Sequence, residues 1–280
     1  MNHPLTWTQG RHAITLACLG PATAFFAAFW LLPVARLVNL PAQRGWQAYF
    51  VVLTNPRYLE SLLNTLVLSI VVTLITLVLG AAVGLYLARR QFAGRQVLLS
   101  LLTLPLSFPG VIVGFFVILL GGRQGPIADL TAALGMGRIT FAYGAFGLLL
   151  AYIYFSLPRA VASYTAAAEA MDTSLEEAAR ALGATRYNIV RDVWIPQLMP
   201  TTVACGAIIF ATAMGAFGTA FTLSSKFEVL PITIYNEFTN YANFALAASL
   251  SIALGLITWA VLFIARIATE PRGRTRRPKA

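Results

Sequence analysis

The side chains that most often do chemistry are scarce in this sequence and widely scattered. His3 and His12 are the only histidines, and Cys18 and Cys205 each sit inside an apolar run. A zinc site or a Ser-His-Asp triad needs several such groups to converge, so neither is expected here, and nor is a disulfide framework. The only lysines are Lys226, which follows Ser224-Ser225, and Lys279, which follows Pro278. A phosphate-binding loop needs G-x-x-x-x-G-K-[ST], because its lysine neutralises the β- and γ-phosphates. Neither lysine fits that pattern. The expectation is a chain with no catalytic residue, metal ligand or cofactor of its own.

One polar stretch has an organised pattern. It reads Asp172-Thr173-Ser174-Leu175-Glu176-Glu177-Ala178-Ala179-Arg180-Ala181-Leu182-Gly183. Ser174 with Glu177 three residues on is a capping-box pattern that starts a helix. Leu175, Ala178, Ala179 and Leu182 recur at helical spacing and form one apolar stripe. Gly183 suits the left-handed position that ends a helix. A second helix is expected from about Tyr187 to Trp194, closed by Pro196. A short amphipathic helix of this kind can rest on a membrane or insert into a groove on a partner. Its stripe has two leucines, two alanines and no aromatic, which is little for membrane anchoring but suits close docking.

The elements that position this stretch are apolar. Of 280 residues, 58% are hydrophobic and 11% charged, against roughly 25% charged in a soluble domain. A bilayer must therefore replace water over most of the surface. Six runs long enough to span it are expected at about 13–32, 62–87, 97–120, 141–157, 204–223 and 244–265, none containing a charged residue or histidine. The first is longer than a signal-peptide core and ends at Trp30-Leu31-Leu32-Pro33, a poor cleavage site, so it is expected to be retained. Six spans put both termini on one side. If that side is cytoplasmic, it holds Arg11, Arg89, Arg90, Arg95, Arg159, Arg180, Arg186, Arg191, Arg266 and the basic tail, as the positive-inside rule requires. The net charge of +10 then reads as topological anchoring, and no nucleic-acid partner is expected. Residues 158–203 form the one long polar loop on that side.

Within the spans, Gly80-x-x-x-Gly84 and Gly110-x-x-x-Gly114 permit close helix contact, either inside one subunit or along a dimer seam. Pro105 and Pro109 interrupt the third span, and broken helices at depth usually line a cavity or are covered by protein. No acid lies in any span, so an ion-coupled carrier would lack its usual site. Such a carrier, or a channel, remains the alternative reading.

The loop then adds a resemblance. Glu177-Ala178-Ala179, three residues, Gly183, nine residues, then Val193-Trp194-Ile195-Pro196 resembles E-A-A-x3-G-x9-I-x-L-P, with Val193 and Ile195 as conservative departures. That is the cytoplasmic-loop signature of permease subunits in binding-protein-dependent ABC importers of the type I fold. The resemblance implies an all-α integral membrane protein with six transmembrane helices. It divides into a tail, first helix and external loop over 1–60, a five-helix permease core over 61–267 and a basic tail over 268–280. Ser174 to Gly183 would be the coupling helix, with Glu177 the motif acid. Implied partners are a dimer of ATPase subunits carrying ATP and Mg, a second and related permease chain, and an external solute-binding protein. The implied place is a bacterial plasma (inner) membrane with both termini cytoplasmic. The stretch from Gly215 to Tyr241 looks closest to polyamine- and aminoethylphosphonate-type permeases, within a branch that also includes sulfate-like oxyanions. Glu228 and Glu237 could draw in a cation or be plain solvated charge. Pro105, Pro109, Gly215 and Gly218 are the expected translocation-path residues.

Overall fold

The computed structural model describes residues 19–225 and 227–269. His3, Arg11, His12, Cys18, Lys226, Lys279 and the tail from 270 onward lie outside the described residues. Those described fold as helices, with no strand among them. In chain order they are α1 (Leu19–Ala42), α2 (Gln47–Thr54), α3 (Pro56–Arg89), α4 (Arg95–Thr103), α5 (Gly110–Gly121), α6 (Pro126–Ala133), α7 (Ala145–Glu169), α8 (Thr173–Ala181), α9 (Arg186–Met214), α10 (Phe217–Leu223), α11 (Leu230–Tyr235) and α12 (Phe244–Thr269).

Six stretches among the described residues are long and apolar enough to cross a membrane: α1, α3, α7, α9, α12 and Gly110–Ala133, which joins α5 to α6. The count agrees with the sequence; four of the spans do not keep their expected limits: the first, 13–32, runs on to Ala42, and the fourth, 141–157, runs on to Glu169. The expected third span, 97–120, breaks near its middle. Leu104–Ser107 tightens into a 3-10 turn, and Phe108 is extended at φ −97°, ψ 133°. A residue before proline is pushed out of the helical region by the proline ring, so Pro109 sets the break and α5 starts after it. The expected fifth span, 204–223, begins earlier and stops sooner. Pro196 does not close a helix; α9 runs through it. A π turn at Val190–Trp194 precedes it, with Ile195 N–H donating to the Val190 carbonyl. The wider turn accommodates a residue without an N–H, and the chain continues. The long loop of 158–203 consequently shrinks to about 170–185.

α3 and α7 form the central pair. Gly80 faces Ala160, and a methyl added to Gly84 would stand 2.7 Å from Tyr164 Cβ. Gly110 and Gly114 meet Thr219 and Thr222 of α10 in the same way. All four small residues serve contacts within the chain. The core joins Leu68 and Val72 of α3, Val113 of α5, Leu148 and Ala151 of α7, and Ile209 of α9. A second cluster, Val52, Tyr58, Leu62, Leu230 and Leu250, closes the end of the bundle away from α8. Several buried hydroxyls inside the spans, though not Ser69 or Thr76 of α3, bond back along their own helix, as Thr65 does to the Ser61 carbonyl at 2.7 Å and Ser249 to Ala245 at 3.0 Å. That satisfies them where no water is available. Phe25, Phe29 and Trp30 of α1 remain exposed, as a lipid-facing helix allows.

Candidate functional site

α8 is set at one end of the bundle, between the last residue of α7 and the first of α9. Its N-cap is Asp172, whose Oδ1 accepts from Ser174 N–H at 2.9 Å. The cap therefore lies two residues before the expected Ser174, and Glu177 closes no capping box. Donors of Ser174, its side chain first and its N–H second, hold the Asp172 carboxyl below its usual range, because they favour the charged form. At the other end Gly183, at φ +79°, donates to the Arg180 carbonyl while Ala184 donates to Ala179, at 2.9 and 3.0 Å. That pair of bonds is the Schellman arrangement, and the positive φ is the reason for glycine.

The inward side of α8 is held by an acid. Glu176 is 7% exposed. It accepts from Arg89 Nη1 and Arg180 Nη2 at 2.7 Å each, and from Trp194 Nε1 at 3.1 Å. The Arg89 guanidinium also lies 4.1 Å from the centre of the Trp194 ring, a stacked cation–π contact. Burial pushes the Glu176 carboxyl up, but the donors from Arg180, Arg89 and Trp194 outweigh it and leave it below the ordinary range. One carboxylate thus ties the end of α3, the middle of α8 and the π turn of α9. Asp172 N–H adds a bond to Gln197 of α9 at 3.2 Å.

The outward side of α8 is apolar and bare. Leu175 and Leu182 are 51% and 88% exposed, with Ala178 exposed and Ala179 half-buried between them. Glu177 is exposed beside this face, and among the described residues it makes no hydrogen bond or ion pair. Val193 is half-buried and Ile195 and Pro196 are exposed on the adjoining turn of α9. The stripe read from the sequence is thus assembled, and this chain leaves it uncovered.

A second constellation lies within the spans. A cavity of about 320 Å³ is lined by residues that include Gly110, Tyr152, Ser156, Thr212, Gly215 and Thr219. It sits where α9 stops and α10 starts, against the break before α5. Tyr152 Oη donates to the Ala216 carbonyl at 2.8 Å, and Thr219 Oγ1 to the Gly110 carbonyl at 3.0 Å, so side-chain hydroxyls tie neighbouring helices to the backbone beside the breaks. Of the four expected path residues, Gly215 and Gly218 line this cavity. Pro105 and Pro109 shape the break but do not line it.

At the opposite end from α8 the two acids proposed as cation attractors are engaged. Glu228 pairs with Arg57 at 3.2 Å. Glu237 is 4% exposed and accepts from Tyr58 Oη at 2.9 Å. Both join α3 to the segment around α11; Glu237 is withdrawn from solvent, whereas Glu228 stays exposed in a surface pair, in keeping with its reading as a solvated loop charge.

The sequence therefore found the exposed half of the α8 site and missed the buried half. Only the Glu176–Arg180 spacing of four residues hinted at it. Arg89 and Trp194 are distant in sequence, and nothing in their local pattern marks them. Arg159, expected on the loop, instead lies well inside α7.

Residues 77–270 match the family model described as binding-protein-dependent transport system inner membrane component. The molybdenum transport system permease protein ModB of Escherichia coli is 34% identical over 231 residues, 80% of this chain and 100% of that protein. The sulfate transport system permease protein CysT of Salmonella typhimurium is 29% identical over 240 residues, 84% of this chain and 86% of its own. In fold, the chain resembles one chain of the crystal structure of a bacterial alginate ABC transporter in complex with alginate pentasaccharide-bound periplasmic protein. The TM-score is 0.79 at 19% identity, covering 96% of this chain and 99% of that one.

Proposed function

This chain belongs to the family of binding-protein-dependent transport system inner membrane components, and from that premise we propose that it is the permease of an importer for a sulfate- or molybdate-type oxyanion. It is a transport subunit rather than an enzyme. ATP and Mg are bound by a separate ATPase dimer, and the bare face of α8 is the surface that receives it. The observation carrying this reading is the division of α8 between its two sides. Glu176 fixes one side to α3 and α9, while Leu175, Ala178 and Leu182 stay uncovered on the other. A helix clamped to two spans and open to a partner transmits a push from that partner into the bundle.

The substrate class follows the relatives named for molybdenum and sulfate, and it replaces the polyamine or aminoethylphosphonate expectation. Charge supports the change. Of the acids that could have drawn a cation, Glu228 is paired with Arg57 at the surface and Glu237 is buried against the Tyr58 hydroxyl, so neither stands as an open cation site. The α8 end faces the cytoplasm of a bacterial inner membrane, both termini share that side, and a related chain fills the second permease position. An external solute-binding protein delivers the anion. The ion-coupled carrier is set aside.

Purification with the neighbouring subunits, followed by reconstitution with ATP enclosed, tests the reading. The ATPase subunit is expected to co-purify, and uptake of sulfate or molybdate to require ATP and survive collapse of the proton gradient. Uptake of putrescine in place of either anion would overturn the substrate class. Transport without an ATPase subunit would overturn the function.

A further inference from the structure

We propose that Arg159, with Thr212 and the cavity behind it, forms an anion site within the translocation path, taking a tetrahedral oxyanion in transit. The inference rests on the oxyanion reading above and names a residue that makes it work.

Arg159 is the fifteenth of 25 residues in α7. It stands ten residues before the α8 end of that helix, about 15 Å at 1.5 Å per residue. Its neighbour Ala160 packs against Gly80, nine residues from the end of α3, which gives the same depth. The side chain extends deeper still. α7 and α9 run antiparallel, with Tyr164 bonded to Thr202 and Tyr152 to the Ala216 carbonyl, so Arg159 is level with about residue 208. Its guanidinium nevertheless reaches Thr212, about one turn farther into the bundle, with Nη1 at 3.2 Å from Oγ1.

The partner at that depth is neutral. The Thr212 hydroxyl donates to the Ile208 carbonyl at 2.7 Å and offers its oxygen to Arg159. Among the described residues no carboxylate forms an ion pair with Arg159; other arginines also lack one, but they lie in connections or within two turns of a helix end, whereas Arg159 is mid-span. A guanidinium carries five N–H donors in a fork suited to oxyanions. A charge in a span without a counter-charge is costly to keep and marks a pathway more often than a scaffold.

The surroundings suit an anion. Thr212 is in the wall of a cavity that Arg159 adjoins through it without lining it; Ser156 adds a hydroxyl there, while the Thr212 and Thr219 protons are given to the Ile208 and Gly110 carbonyls. Gly110 opens α5 at the same wall with no side-chain cap, so the positive end of a twelve-residue helix is turned to the same space. One guanidinium beside a helix end attracts a dianion without a cage to retain it, as a passing site requires. The same charge repels a polyamine.

The experiment measures uptake of radiolabelled sulfate and of molybdate by the assembled importer in proteoliposomes at saturating binding protein. Arg159→Gln is expected to lower the maximal rate at least tenfold, with Arg159→Lys keeping more of it than R159Q. Thr212→Glu supplies the missing carboxylate. The new ion pair would anchor α7 to α9 more firmly while cancelling the charge behind Thr212, and uptake is again expected to fall at least tenfold. A purely structural arginine would leave T212E at the wild-type rate. Uptake within twofold of wild type in R159Q or in T212E overturns the site, and T212E decides alone should R159Q fail to assemble. A wild-type importer that moves neither anion overturns the oxyanion reading itself, before any variant is compared.

Discussion

The loop around α8 and the cavity inside the spans are positioned by opposite means. The loop is one continuous piece of chain, braced by charge: Glu176 collects Arg89, Arg180 and Trp194 on one side and leaves the other side to a partner. The cavity is assembled from α5, α7, α9 and α10, which meet through glycines and through hydroxyls bonded to backbone carbonyls. Charge can brace the loop because water is near to solvate what the pairs leave over. Inside lipid every unpaired group is costly, so close contact and short hydroxyl bonds take over. The interior should then tolerate no added volume, whereas the outer face of α8 should tolerate almost any change except in its partner.

The largest expected effect tests the interior. Gly114 packs on the Thr222 side chain with no room for a Cβ, and overfilled contacts cost about 1–3 kcal/mol or more. Gly114→Leu is expected to abolish the monodisperse peak of the detergent-solubilised chain. A normal peak would mean that α5 and α10 separate freely, and the contrast with the loop would fail. Next comes the buried acid. Glu176→Ala leaves Arg89 and Trp194 without their acceptor, and a bond to a charged group contributes about 1.5–3 kcal/mol. The chain should still insert, with its melting temperature lowered and ATP-dependent uptake reduced at least tenfold. Full uptake would separate α8 from the push it is proposed to carry.

A smaller effect on the chain itself is expected on the outer face. Leu175→Ser with Leu182→Ser alters side chains already exposed, so the stability of the isolated permease should change by no more than about 0.5 kcal/mol per site. Association with the ATPase should be lost all the same. Gly183→Val lies between the two regimes: nothing stands within 4 Å of an added Cβ, but its φ of +79° costs a side chain about 1–2 kcal/mol. Weakened ATPase association with normal membrane levels is the expected result, by co-purification against a membrane immunoblot.

The same contrast explains what could be read in advance. Span number, the glycine contacts and the bare stripe of α8 follow from local periodicity, because each is a property of one helix. The end of α8 was legible for the same reason, since Gly183 acts within its own turn. Pro196 misled because the π turn that accommodates it has no residue signature of its own. Glu176 and Glu177 are indistinguishable in sequence because they differ only in which neighbours they meet, and those of Glu176 include residues 87 and 18 positions away. Arg159 reads as a loop residue in sequence because a charge ends the apolar window. An isolated cation inside a span and one just past its end look alike until the helix on either side is seen.

The smallest effect concerns pH, and it isolates the charge of Glu176 from its shape. Its carboxyl is held below the ordinary range by Arg180, Arg89 and Trp194 acting against burial. A depressed acid stabilises the fold fully above its unfolded value, about 4.3 for glutamate, and the contribution is lost as pH falls through the lower folded value. Stability of the permease and its affinity for the ATPase should therefore be flat from about pH 8 to pH 5 as far as this group is concerned, and decline below about pH 4. Glu176→Gln keeps the size and can still accept from Arg89, but it has no proton to gain. Its melting temperature should start lower and lose less between pH 5 and pH 3 than wild type. Parallel curves for the two proteins would mean that neutral hydrogen bonds alone hold α8 in place. The loop would then be braced as the cavity is, by contact and not by charge.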